Sequence, residues 1–155
     1  MLGQGNARVL IVEDSEIQRM LLADLVRLWG YQTETASDGH EALQKISFFR
    51  PRVVISDLQM PRMGGIELLE VLRRTLPDVA CIIVTGYGTF EHAEVATQLG
   101  AIDYLEKPVD LQRLRADLER LVPGEGAGPP GLAVRVIPPK PHEVSSGGLA
   151  GFGKG

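Results

Sequence analysis

Three carboxylates, a hydroxyl and an ammonium stand at or just beyond the ends of apolar runs: Glu13-Asp14 after Arg8–Val12, Asp57 closing Val53–Ser56, Thr85 after Ala80–Val84, and Lys107 after Ile102–Leu105. Two carboxylates about 4 Å apart at an effective dielectric near 20 repel by about 4 kcal/mol. Were Asp14 and Asp57 to converge with Glu13 nearby, they would need a counter-charge to stay ionised. One lysine offsets one charge. A hard divalent ion held by one or two carboxylates, a carbonyl and waters would offset the rest, which describes Mg²⁺. No His or Cys accompanies these groups, so Zn²⁺ is not expected. A carboxylate beside a metal, a lysine and a hydroxyl can act as nucleophile toward phosphorus and form an acyl phosphate, its neighbours steadying the transferred oxygens. Asp57 is the expected nucleophile.

Those residues act together only if the chain brings strand ends to one edge. The apolar period switches repeatedly between continuous β-branched runs and a 3.6-residue stripe, the pattern of βα units around a parallel sheet. Five units are expected. Strands fall on Arg8–Val12, Gln32–Ala36, Val53–Asp57, Ala80–Val84 and Ile102–Leu105. The first helix is expected to open at a capping box, Ser15 with Gln18, to carry the stripe Ile17, Met20, Leu21, Leu25, Leu28, and to stop at Gly30. The others run over His40–Ser47, Ile66–Leu76, about Phe90–Leu99 and Asp110–Leu121. Unbroken Val/Ile runs are strands buried on both faces, so helices cover both sides of the sheet. In such open sheets ligands bind at the carboxyl ends of the strands.

The 155 residues suit one domain, and a 44% apolar content can furnish its core. Net charge −4 removes the basic footprint of nucleic-acid or anionic-membrane binding. The lone Cys81 excludes a disulfide framework, and neither a signal peptide nor a long apolar span is evident, so a cytoplasmic location is expected. Residues 123–155 hold 9 of the 18 glycines and 6 of the 10 prolines and read as a disordered linker or tail, leaving 1–122 as the folded domain.

Four separated motifs carry a resemblance to the receiver domain of bacterial two-component response regulators: Val9-Leu10-Ile11-Val12-Glu13-Asp14-Ser15; Asp57 with Met60-Pro61 and Met63-Gly64-Gly65; Thr85-Gly86; and Tyr104-Leu105-Glu106-Lys107-Pro108. The resemblance covers about residues 7–122. It implies a doubly wound, flavodoxin- and chemotaxis-regulator-like (βα)5 fold with strand order 2-1-3-4-5. It makes Asp57 the phosphoacceptor, Glu13 and Asp14 the acidic pair that binds Mg²⁺ with Asp57 and the Gln59 carbonyl, Thr85 the switch hydroxyl, Tyr104 the coupled aromatic switch and Lys107 the phosphate partner. Gln59 and Tyr87 would tune the lifetime of the acyl phosphate. The donor would be a phosphohistidine on a sensor histidine kinase. The face of helix 4, strand 5 and helix 5 would carry the output, to transcription or as a homodimer contact. The Lys107-Pro108 bond is expected to be cis. The run from Thr85 to Thr89, with Gly100–Tyr104, is similar to receivers of the nitrogen-regulation type.

Two other functions use the same fold. An Asp-nucleophile phosphatase or phosphotransferase acting on a small substrate would want an acid/base two residues after Asp57, where Gln59 cannot ionise. Flavin binding would place a phosphate against Glu13-Asp14-Ser15, where carboxylates repel it. Among the remaining residues, Leu28 and Trp29 are expected at the core or its edge, Cys81 buried and inert, and Arg73, Arg74, Arg113, Arg115 and Arg120 on solvated helix faces.

Overall fold

Alternation along the strands decides the architecture. The computed structural model describes residues 7–122. They form five βα units: β1 (Arg8–Val12), α1 (Glu16–Leu28), β2 (Gln32–Ala36), α2 (Gly39–Phe49), β3 (Val53–Ser56), α3 (Gly65–Thr75), β4 (Ala80–Thr85), α4 (Phe90–Gln98), β5 (Asp103–Glu106) and α5 (Leu111–Leu121). The strands make one parallel sheet in the order β2-β1-β3-β4-β5, as the resemblance implied. Successive side chains point to opposite faces, so Val9, Ile11, Val53, Ile55, Ile82 and Val84 pack beneath α1 and α5. Leu10, Val12, Val54, Cys81 and Ile83 pack beneath α2, α3 and α4. Both faces are dry, and each fully buried aliphatic side chain contributes about 1.5–3 kcal/mol. β2 is polar because it is an edge strand: Gln32 is exposed, the next three residues are half-buried, and only Ala36 is buried.

Helix ends follow local chemistry. Ser15, Asp38, Thr89 and Asp110 each accept a backbone N–H from the first turn of the helix they precede. Gly30, at φ 103°, ends α1 in a conformation that only glycine adopts freely. The Lys107-Pro108 peptide is cis. Cys81 is buried, and burial pushes its thiol up to about 12.

The expected apolar stripe of α1 is overturned. Ile17, Met20, Leu21 and Leu28 are exposed and only Leu25 of that stripe is partly buried, whereas Ala23 and Val26 are buried, with Leu22 and Trp29 packed beside them. α1 carries two apolar stripes, and the one with small residues faces the sheet because it lets the helix approach closely. Leu28 is therefore no anchor, while Trp29 sits at the core edge with Arg115 over its ring, 5.5 Å from the centroid. Nor are all the arginines solvated: Arg113 pairs with Asp103, and Arg120 with Asp117 at 2.8 Å. Among the described residues no helix is long and apolar enough to cross a membrane. The expected linker over 123–155 lies outside the described residues.

Candidate functional site

Parallel pairing in register aligns the strand ends. Val12 lies opposite Ser56, Ser56 opposite Ile83, and Thr85 opposite Glu106. The residues that follow therefore emerge at one edge, and the chain brings together Glu13, Asp14, Asp57 and Lys107. Each of the three carboxylates offers an oxygen within 4.8 Å of the others. Glu13 and Asp57 are buried and Asp14 is exposed.

Lys107 Nζ donates to Glu13 Oε1 at 2.9 Å, to Asp57 Oδ2 at 3.0 Å and to Gln18 Oε1 at 2.5 Å. An ammonium has three donors, so this one is fully committed. Burial works against the charge on Lys107, but the hydrogen bonds to Glu13 and Asp57 outweigh it and raise its pKa. Burial pushes the Glu13 carboxyl up, Asp57 adds to that, and the bonds from Lys107 and the Ser15 amide only partly oppose it. Asp57 Oδ1 accepts the Leu58 amide at 2.5 Å and the Gln59 amide at 3.4 Å, which leaves Oδ2 to face the lysine. The segment after Asp57 is tied down from both sides. The Gly65 amide donates to the Leu58 carbonyl at 2.8 Å, and a Cβ on Gly65 would lie 2.3 Å from the Asp57 carbonyl oxygen. Farther along, Arg62 pairs with Asp38, the cap of α2.

Thr85 is fully buried at the end of β4, its Oγ1 accepting the Tyr87 amide at 3.2 Å. Gln59 and Tyr87 are both exposed beyond the two strands. A Cβ on Gly86 would meet Lys107 Cδ at 3.7 Å, an ordinary contact. Tyr104 is turned inward, half-buried against the cluster under α2 to α4. Its hydroxyl is buried and has no hydrogen-bond partner. A cavity of about 560 Å³ opens beside the acidic edge, lined by Leu21, Leu22, Leu25, Val109 and Leu111 together with Glu13, Gln18, Asp57 and Lys107.

Gln18 was legible only as half of a capping box. Ser15 does accept the Gln18 amide, at 3.3 Å, but the Gln18 side chain reaches the lysine instead. Gln18 and Lys107 are 89 positions apart in the sequence, so no local signal could have revealed that bond.

The chain is thus a doubly wound α/β domain with an acidic, lysine-bearing pocket at the carboxyl ends of its strands. Residues 9–119 match the response regulator receiver domain, and the chain belongs to that family of regulatory domains. Response regulator MprA of Mycolicibacterium vanbaalenii is 38% identical over 125 residues, covering 78% of this chain and 54% of that protein. The chain therefore matches about half the length of that relative. Sporulation initiation phosphotransferase F of Bacillus subtilis is 33% identical over 118 residues, 76% of this chain and 95% of that protein. Among solved structures, the receiver domain of NtrX from Brucella abortus superposes with a TM-score of 0.69 at 33% identity, covering 74% of this chain and 97% of that one. Membership implies phosphorylation-controlled signalling in a two-component system. Receiver domains generally bind Mg²⁺ at an acidic pocket, and the carboxylate-only donor set here fits a hard divalent ion.

Proposed function

We propose that Asp57 is the phosphoacceptor and that a sensor histidine kinase is the donor. The observation that carries this reading is the hydrogen bond from Lys107 Nζ to Asp57 Oδ2 at 3.0 Å, within a pocket of three carboxylates. Asp57 Oδ2 attacks the phosphorus of a phosphohistidine whose other ring nitrogen carries a proton; the N–P bond breaks, its electron pair stays on the nitrogen, and the imidazole leaves as the kinase's neutral side chain. Lys107 then transfers its donors from the carboxylate to the phosphoryl oxygens, while the Thr85 hydroxyl donates to another of them. Glu13, Asp14, Asp57 and the Gln59 carbonyl would hold Mg²⁺, which when bound neutralises charge on the transferred oxygens. Gln59 and Tyr87, both exposed just beyond the strands that carry Asp57 and Thr85, would govern water access and hence the lifetime of the acyl phosphate.

The apolar cavity rim suits the kinase helix that presents the histidine, since Leu21 and Leu111 are large exposed apolar residues that line the same cavity as Asp57, and Ile17 and Met20 add exposed apolar surface on α1. On the opposite flank, Thr85 and Tyr104 would link the phosphoryl group to the α4–β5–α5 face, which would engage an output partner or a second copy of the chain. Regulation of transcription in the cytoplasm, in the manner of nitrogen-regulation-type receivers, is the setting we infer. The division into a receiver over 1–122 and a linker from 123 rests on composition alone.

Incubating the chain with a small acyl phosphate and Mg²⁺ and measuring intact mass tests the reading. The expected product is heavier by about 80 Da, one phosphoryl group, and Asp57→Asn should yield none. An adduct that persists in that variant would place the phosphoryl group elsewhere.

A further inference from the structure

Tyr104 reaches its inward position through a gap left by a missing side chain. A Cβ built on Gly88 would lie 1.6 Å from the Tyr104 hydroxyl oxygen, 2.8 Å from Cζ and 2.9 Å from the Thr85 methyl carbon. Real Cβ atoms do not approach this closely, so residue 88 and the tyrosine ring compete for one volume. Gly88 sits in the loop between β4 and α4, two residues before the helix begins at Phe90. That loop is held at both ends: the Tyr87 amide donates to Thr85 Oγ1, and Thr89 caps α4 in a reciprocal box with His92. The backbone at 88 therefore cannot retreat without breaking one of these attachments.

The tyrosine, by contrast, is weakly retained. Its ring packs against apolar neighbours, but its hydroxyl is buried with nothing to bond to. Burying a phenol without a partner opposes the placement, and exposure to water relieves it. Apolar packing and an orphaned hydroxyl thus pull in opposite directions, and a small steric change decides between them.

From this we infer that Gly88 is the positioning residue for Tyr104. The absence of a side chain at 88 creates the slot that the hydroxyl occupies, and any Cβ there holds the ring outside, away from Thr85. The slot deepens the functional reading above, because it sets which orientation of the α4–β5–α5 face the unphosphorylated chain adopts, but the steric assignment holds whether or not Asp57 is phosphorylated.

The test uses the full chain carrying 3-fluorotyrosine at Tyr31, Tyr87 and Tyr104, with each fluorine resonance assigned by Tyr→Phe replacement and its broadening by a soluble paramagnetic probe recorded. In the parent chain Tyr104 should be protected relative to exposed Tyr87. In Gly88→Ala its broadening should rise to the level of Tyr87, and equal protection in parent and variant would overturn the assignment. Should Gly88→Ala fold poorly, the double variant Gly88→Ala/Tyr104→Leu, in which the ring is gone, should regain the thermal midpoint of Tyr104→Leu alone. A midpoint that stays depressed would assign the conflict to the Thr85 methyl and sink the proposal. Repeating the fluorine measurement with acyl phosphate and Mg²⁺ separates the two ideas. An Asp57 adduct in both chains with Tyr104 still exposed in Gly88→Ala supports both, whereas no adduct in either chain defeats the phosphoacceptor reading and leaves the slot standing.

Discussion

Lys107 is the one cation among the described residues that bridges Glu13 and Asp57, and its value is clearest when its charge is removed. In Lys107→Gln, two largely buried carboxylates face each other with no counter-charge, which should lower stability at pH 7 by roughly 1–3 kcal/mol. The deficit has a defined pH dependence. Glu13 already has a raised pKa from burial and from Asp57, and it rises further once the lysine is gone. As pH falls through that value Glu13 takes up its proton, the repulsion disappears, and the stability of the variant converges on that of the parent. Glu13→Gln removes the same repulsion without removing the cation, so it should be neutral or stabilising by about 1 kcal/mol in the absence of divalent ions. Urea unfolding of the three chains at pH 7 and pH 5 checks both signs, and a Lys107→Gln deficit that does not shrink at pH 5 would contradict the electrostatic account.

Between elements, the two faces of α1 and the seam of β5 with α5 make separate predictions. Leu28 is 80% exposed, and Leu28→Ala should change stability by no more than about 0.5 kcal/mol. Val26, on the opposite face of α1, is fully buried, and its replacement by Ala should cost about 1–3 kcal/mol. Chemical denaturation of both variants distinguishes this helix orientation from the one the larger apolar residues suggested. At the seam, Asp103 and Asp117 lie within hydrogen-bonding reach of each other, with Arg113 on the first and Arg120 on the second. Asp117 Oδ2 is buried and lacks a donor. Burial and the neighbouring Asp103 raise Asp117 to about 7. Burial also opposes the charge on Asp103, but the bonds from Asp117, Arg113 and the Tyr104 amide prevail and lower its pKa. One proton shared by the pair satisfies both. The folded chain therefore holds a proton on Asp117 that the unfolded chain releases near 3.8, so this contribution to stability is lost as pH rises from there to about 7. Asp117→Asn keeps a permanent donor toward Asp103. Its thermal midpoint should decline less than the parent's between pH 5 and pH 8, and parallel declines would exclude the shared proton.

Over the whole molecule, what could be read from the sequence was what burial writes into neighbouring residues. The central strands were plain because both faces are dry, as the run Val53-Val54-Ile55 shows, and β2 was faint because an edge strand needs no such run. Glu13, Asp14, Asp57 and Lys107 could be placed together because each follows a strand and parallel strands end on one side. The partners of those residues were hidden: Gln18 to Lys107, Asp103 to Asp117 and Gly88 to Tyr104 are contacts made by packing, with no local period to announce them. The same three-dimensional convergence makes the acidic edge a source of strain for the unliganded chain, whose net charge is −4. A divalent cation bound there should stabilise the folded state alone, since the unfolded chain scatters Glu13, Asp14 and Asp57. At a Mg²⁺ concentration ten times its Kd the linkage contributes about 1.4 kcal/mol, which for a domain of this size raises Tm by a few degrees. Asp14→Asn, altering an exposed member of the cluster with little effect on packing, should abolish most of that rise, while an equal concentration of NaCl should not reproduce it in the parent chain. A Tm that climbs equally in parent and Asp14→Asn would mean that the ion acts by general screening and that the three carboxylates are not its site.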